Sequence, residues 1–584
     1  MKTRIKILTA IFASICLFTA CVDADLEEVL DYENHYQTIA DADNAILGLY
    51  GEFMKLAEHV VVLNELRGDL MDVTYNSSKD LQEINLSAPS KGNKYADPTL
   101  FYSIIQNCND LLYNMDEMLK THKMTNEDYA ERYSDVAALR CWVYLQLGMH
   151  FGEVAYVTDP LITIDDVTEA AKLPTIKFDD LLDKLIDCME KLPTLDPYLN
   201  SPLVKYTLDG YSLKNFFVNK YLLAGDLYLW RGGSQADFVN AATMYRVVLA
   251  TDEDHTDASS NNNMYKLRTW PWNDSNEPIF QVTYFRYMDY DINSYRNTWL
   301  DMFQLAAENS KANQELIWTI SYDKAFEPTY PFINLFANYG RGTYQLKPSQ
   351  YAIDKLWEAQ VQQNGFVFDG RGRESSFKMV NGEYIVQKYL YNYDSTKPFE
   401  QSGKWFLYRA GLLHLRYAEA ANRAGYPKLA YALLNKGIKN AYTWEGALLA
   451  EQSQSGWAPG NYYPEPFYFD ARQSDQPYYR RPWRDNGGVR GRCMLEPVEF
   501  PETATTTNDS ILFLEKMLIR EAALETGFEG HRWGDLTRVA RRMNKEGRDG
   551  NAYLIENLSG KYELSGIPMP DFSTQEKWYL PFKK

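Results

Sequence analysis

Apolar residues recur at steps of three and four along several pairs of segments, the spacing that lays one stripe of side chains along a helix face. The pairs fall near 42–120 (Ala42 to Leu56 with Leu100 to Lys120), 133–192 (Tyr133 to Phe151 with Phe178 to Leu192, closed by Pro193), 213–250 (Leu213 to Trp230 with Phe238 to Ala250) and 412–440. In the last, LLHLRYAEAANRAGYPKLAYALLNKGIKN, small or apolar residues stand at Ala418, Ala430, Leu434 and Gly437, with a turn at Gly425. These offsets match tetratricopeptide spacing, and Ala241, Tyr245 and Val248 repeat the second-helix offsets. Degenerate helix pairs in series predict a curved, mainly α scaffold. Between them lie two irregular, loop-rich stretches, 251–400 and 442–508.

The densest pattern is Ile511 to Arg542, where Leu514, Met517, Leu518, Leu524 and Phe528 form an apolar stripe. On the same turns stand Arg520, Glu521, Glu525, Glu529, Arg532, Asp535 and Arg538, and Gly527 and Gly530 allow a break into two helical pieces. Such a row reads as a structural seam, because arginine forks onto carboxylates and can lock helices in register. Its alternative is a pair of catalytic carboxylates, as in a glycosidase, but arginines within a turn or two would hold each acid ionised instead of raising its pKa.

The first twenty residues read as a targeting segment. Lys2, Arg4 and Lys6 precede the short apolar run Ile7 to Phe18, and Phe18-Thr19-Ala20-Cys21 ends it with small residues before a cysteine. The run is too short for a stable membrane span. Small residues before a cysteine resemble a bacterial lipobox, which implies cleavage before Cys21 and its lipidation; an ordinary secretory signal with a chance cysteine is the alternative. Residues 21–40 then form an acidic tether beginning VDADLEE, and 41–584 a single domain.

Charge and cysteines narrow the picture. The net charge of -19 becomes -22 once the three cations of residues 1–20 are removed, the wrong sign for a general nucleic-acid binder. Cys108, Cys141, Cys188 and Cys493 lack metal-ligand spacing, and buried thiols are expected. No phosphate-cradling glycine motif, H-E-x-x-H or G-x-S-x-G elbow is present, so neither a catalytic centre nor a cofactor is expected. The acidic run Asp252 to Asp257 invites calcium, but without the spacing of a calcium loop it reads as a solvated surface loop.

The segment R-E-x-x-L-E-x-x-x-E-G-x-R-x-x-D-L-x-R, Arg520 to Arg538, resembles the C-terminal signature of the SusD/RagB family of outer-membrane nutrient-binding lipoproteins. ALRCWVYLQLGMHFGEVAYV (Ala138 to Val157), DADNAILGLY and LLHLRYAEAANRAG are similar to the family's framework helices. The chain departs from the pattern in two places. An R-x-R-like segment, Val489-Arg490-Gly491-Arg492, arrives only after a long insertion, and the chain closes on Trp578-Tyr579-Leu580-Pro581. The resemblance implies a tetratricopeptide-like bundle with a loop-rich region, anchored by lipid at the outer membrane with its acidic tether as export signal. It further implies a nutrient ligand, mostly a glycan, and a SusC-like TonB-dependent transporter as partner.

Aromatic residues crowd the loops. Trp270, Trp272, Tyr287, Tyr290 and Tyr295 lie in one stretch, and Trp457, Tyr463 and Trp483 in the insertion. Rigid rings flanked by amides, carboxylates and arginine suit the C–H faces and hydroxyl rim of a sugar; the alternative is a second core beneath the loops. Tyr75 and Tyr95 lie where the resemblance implies a binding loop. The expected function is therefore non-enzymatic glycan capture and handover to the transporter. A RagB-like peptide binder remains open, as does a lipid-anchored glycoside hydrolase if two unpaired carboxylates face each other in a cleft.

Overall fold

The computed structural model describes residues 36–198, 202–205, 207–208, 211–249, 302–303, 315–363, 365–438, 463–469 and 488–582. Eight helices form an array in which each packs against the next: α1 (Ile39–Met54), α2 (Thr99–Lys120), α3 (Asn126–Phe151), α4 (Phe178–Glu190), α5 (Lys220–Arg231), α6 (Gln235–Leu249), α7 (Ala410–Arg423) and α8 (Pro427–Leu434). A helix stands in each expected segment, and several starts are shifted. α5 begins at Lys220 instead of near Leu213, because the Asn219 side chain accepts from the Leu222 N–H at 3.0 Å and caps it there. α3 begins seven residues before Tyr133, where the Thr125 hydroxyl caps the Asp128 N–H at 3.1 Å; its polar first turns hide the apolar period. The α7–α8 turn uses Gly425 at φ 100° and Pro427 at the first turn of α8.

The expected loop-rich stretch 251–400 holds more order than its pattern suggested. Strands β1 (Met71–Val73) and β3 (Leu346–Pro348) pair antiparallel, and β4 (Phe377–Val380) and β5 (Glu383–Val386) form a hairpin. A longer ribbon joins β2 (Leu316–Tyr322) to β6 (Gly403–Arg409), and every residue of both strands is buried. A strand buried on both faces shows no alternation, so period-two patterning could not reveal it.

This ribbon crosses the start of the helical array. Trp318 and Trp405 pack with Phe53 of α1 at 5.8 and 5.1 Å between ring centroids, and Trp142 of α3 meets Trp318 edge-on at 5.4 Å. Each such side chain contributes about 1.5–3 kcal/mol by burial, and the Trp318 indole N–H donates to the Phe216 carbonyl at 3.0 Å.

The C-terminal signature forms α9 (Thr507–Thr526) and α10 (Arg532–Lys545), broken at Gly527 to Gly530 as the glycines predict, followed by α11 (Gly550–Ser565). α9 starts with a capping box between Thr506 and Asp509, then packs on α7 and α8. Leu514, Leu518, Leu524 and Phe528 are buried as expected. The divergent ending is also packed: Arg67 donates to the Trp578 carbonyl, and the Leu580 N–H donates to the His150 carbonyl at 2.8 Å. Cys108, Cys141 and Cys493 are buried free thiols and Cys188 is half-buried. Among the described residues no helix is long and apolar enough to cross a membrane.

Candidate functional site

Two assemblies answer to the sequence expectations, and they differ in kind. In the first, Glu521 accepts from Arg371 and Arg490, both at 2.7 Å. Glu525 accepts from Arg371 at 2.7 Å, from Arg409 at 2.6 Å and from Arg492. Glu529 accepts from Arg409 at 2.8 Å and from Lys388 at 2.7 Å. Arg532 forks onto Asp69 at 2.5 and 2.8 Å. Asp535 meets Arg416 and, at 3.0 Å, Arg538, which also forks onto Glu419.

All these groups are buried. Burial alone would push the Glu525 carboxyl up; Arg492, Arg409 and Arg371 more than reverse that and hold it well below the usual carboxylate range. Glu521, Glu529 and Asp535 are lowered by the same contest between burial and adjacent cations. The seam acids are therefore held ionised by adjacent cations, as the structural reading of the row expects.

Its wiring differs from the sequence expectation in two respects. Of the local pairs, Asp535 with Arg538 forms, but Arg532 turns to Asp69, which lies far away in the chain. Arg520 is outside the seam altogether: it is exposed, and among the described residues its guanidinium donates to the Lys355 carbonyl at 3.2 Å. At i and i+1 on a helix, Arg520 and Glu521 face different sides, so only one of them reaches the core. The displaced Val489–Arg492 segment nevertheless delivers Arg490 and Arg492 to the seam as a short helix. A cavity of about 30 Å³ adjoins it, lined by Asn64, Gln146, Asp226, Arg416 and His531 among others. That is room for about two waters and far too little for a sugar.

The second assembly is at the surface. β1 ends at Val73, and the following turn is fastened to the neighbouring chain: the Thr74 N–H donates to the Gln345 carbonyl at 3.3 Å, and the Ser77 hydroxyl donates to the same oxygen. The Ser77 hydroxyl also accepts from the Thr74 N–H at 2.8 Å. The turn thus presents Tyr75 at its tip, 77% exposed, with one ring contact, an edge against Tyr344 at 6.0 Å.

Tyr344 has a left-handed backbone (φ 49°), and its hydroxyl donates to the Tyr384 carbonyl at 2.9 Å, 3.2 Å from Glu383. Burial and the Glu383 carboxylate raise its pKa, so it stays a neutral donor. The Tyr344 ring is itself buried, 1% exposed, while Asn76, next to Tyr75 in the chain, Thr343, next to Tyr344, and Asn334 expose donors and acceptors.

The same surface continues across the β4–β5 hairpin. Asn338 donates to the Val380 carbonyl at 2.6 Å, and the Arg341 N–H donates to the Tyr393 hydroxyl at 2.7 Å. Arg341 lies over the Phe399 ring at 4.6 Å, and Phe399 is 78% exposed. A Lys324–Glu400 pair at 2.9 Å brings in the loop that carries Phe326, 67% exposed. Tyr75, Phe326 and Phe399 thus present exposed rings on loops of this surface.

Of the named aromatic candidates, Tyr75 is on this face. Tyr95 is not: it is 1% exposed, with its hydroxyl on Glu58 at 2.6 Å, so the polar segment around it buries its ring. Tyr463 is half-buried and set edge-on against Tyr426 at 4.9 Å. Trp270, Trp272, Tyr287, Tyr290, Tyr295, Trp457 and Trp483 lie outside the described residues, as do Cys21 and the acidic run 252–257. Among the described residues no group of three or more His, Cys, Asp or Glu is placed to hold a metal. Tyr344, Phe326 and Phe399 were not singled out from sequence, since each stands outside the aromatic-rich runs. The available signal was a lone aromatic beside turn residues, such as Gly342-Thr343-Tyr344.

No protein-family model and no curated protein matches the chain. Solved structures do. A SusD superfamily protein from Bacteroides vulgatus is 14% identical with a TM-score of 0.55, covering 93% of this chain and 95% of its own. The surface glycan-binding protein A from Bacteroides uniformis is 15% identical, with a TM-score of 0.56 over 93% and 96%. A SusD homolog from Bacteroides thetaiotaomicron is 12% identical, with a TM-score of 0.52 over 95% and 96%. The chain has the SusD-like helical fold.

Proposed function

We propose that the protein is a cell-surface glycan-binding lipoprotein, anchored through Cys21, that captures an oligosaccharide and delivers it to a SusC-like TonB-dependent transporter. The observation that carries this reading is Tyr75, a bare ring on a turn locked by hydrogen bonds to Tyr344 and Gln345. A platform already fixed in place loses little entropy when a sugar stacks on it. The SusD-like fold, shared with a surface glycan-binding protein, supports the ligand class. The cysteine after Thr19-Ala20 supports the anchor.

In this reading the protein binds and positions, and performs no chemistry. The Tyr75 ring covers the apolar face of the sugar, Asn76, Thr343 and Glu383 meet its hydroxyls, and Arg341 extends the site toward Phe399. Trp270 and Trp272, flanking Pro271, are candidates for further platforms.

A glycan array with a peptide pool alongside tests the ligand class; calorimetry of Tyr75→Ala and of the Trp270→Ala, Trp272→Ala double variant then tests the placement. Binding of peptides with no glycan bound would overturn the sugar reading. Cys21→Ser should release the folded protein from the membrane, and labelled fatty acid still incorporated into that variant would count against the anchor.

A further inference from the structure

We propose a second binding site, separate from the Tyr75 face, for a carboxylate-bearing sugar unit. It is an open groove of about 560 Å³ between α9, α11 and the helical turn Ala352–Trp357. That volume lies within the range of small-molecule sites, about 300–1,000 Å³.

One wall carries Lys516 and Arg520, four residues apart on α9, with Lys355 beside them. Arg520 makes no ion pair among the described residues; its guanidinium donates to the backbone carbonyl of Lys355, and both residues line the groove. Lys355 likewise has no ion pair among the described residues, and Lys516 reaches only Glu556, at 3.8 Å, with both side chains at least half exposed. Like charges at this helical spacing destabilise slightly. With Arg532 on Asp69 and Lys516 near Glu556, Arg520 and Lys355 are the cations left over on this wall, opposite Glu556 and Glu563 of α11, and they suit an anion.

The rest of the groove suits a sugar. Tyr351 lines it, and its ring lies so close to α11 that a side chain at Gly560 would come within 2.3 Å of it. Asn557, Glu556 and Glu563 stand on the α11 wall, where they accept hydroxyl protons. At the floor, Arg532 is already committed to Asp69 and to the Ile519 carbonyl, so the ligand's carboxylate is left to Arg520 and Lys355.

The choice of a sugar rests on the proposed glycan function; the choice of an anion rests on the groove alone. The test is calorimetry of the full-length protein with trigalacturonate, triglucuronate and sialyllactose, and with their methyl esters as uncharged counterparts. The expected result is binding of at least one acid, weakened at least tenfold by esterification and by the exposed double variant Arg520→Glu, Lys355→Glu, and weakened by added salt. Tyr75→Ala should change that affinity less than twofold. The proposal is overturned if none of the acids binds, if the charge-reversed variant binds as wild type does, or if Tyr75→Ala abolishes binding. Neutral glycans lost from Tyr75→Ala while acids still bind would separate the two sites. Acids bound at the groove with no glycan bound at Tyr75 would overturn only the proposed function.

Discussion

Around Glu525 three guanidiniums converge on one carboxylate inside the molecule, while around Tyr75 a phenol ring stands almost bare in solvent on a turn held by backbone and hydroxyl hydrogen bonds. The seam is dense in charge and has no room for a ligand; the turn has little charge and is open. In this fold the conspicuous charged motif belongs to the scaffold. A row of ionisable residues is a poor guide to a site unless one of them lacks its partner, because a matched buried network satisfies itself.

The largest effect should come from breaking the seam. Arg532→Ala leaves the Asp69 carboxylate buried without its forked partner and should cost about 3–5 kcal/mol, read from chemical denaturation. A variant as stable as wild type would erase the contrast between the seam and the open turn.

Glu65, beside the seam, provides the next test because it makes no ion pair among the described residues. Burial raises its carboxyl from 4.5 to about 7, against the opposing Gly530 and His531 N–H groups, which donate to it at 2.7 and 3.0 Å. The folded state therefore binds this proton more tightly than the unfolded chain does. The resulting stabilisation is complete below about pH 4.5 and is lost as pH rises through about 7, a change of about 3 kcal/mol. Glu65→Gln keeps an acceptor and removes the titration, so its stability relative to wild type should climb between those pH values and then level off. The depressed acids Glu521, Glu529 and Asp535 behave oppositely: their stabilisation is present above the unfolded carboxylate pKa and lost as pH falls. A flat difference between the Gln variant and wild type across this window would contradict the assignment.

At the open face, Tyr75→Ala should weaken glycan binding at least tenfold, about 1.4 kcal/mol, with the melting temperature unchanged. Calorimetry and thermal melting on one preparation read both; lost stability with intact affinity would make Tyr75 a scaffold residue. The smallest effect sharpens the boundary of the seam. Arg520→Ala, twelve residues before Arg532 within the same motif, should change stability by no more than about 0.5 kcal/mol, because its side chain is exposed. A destabilisation comparable to that of Arg532→Ala would extend the seam to the surface.

The residue pattern alone determined the helix pairs, the break at Gly527 to Gly530, the buried stripe of α9 and the structural nature of the charged row. Each of these follows from local spacing: period 3.6 sets a face, glycine permits a break, and nearby arginine keeps an acid ionised. Tertiary structure alone decided the partners. Arg371, Arg409 and Asp69 reach the seam from more than a hundred residues away, and no local period records such a meeting. It also decided which rings are bare. Tyr75 and Tyr95 are similar in sequence surroundings, yet a hydrogen-bonded turn holds one in solvent and packing against Glu58 and Lys94 buries the other. Exposure depends on what the rest of the chain covers, a property of the assembled fold that the sequence around a residue does not contain.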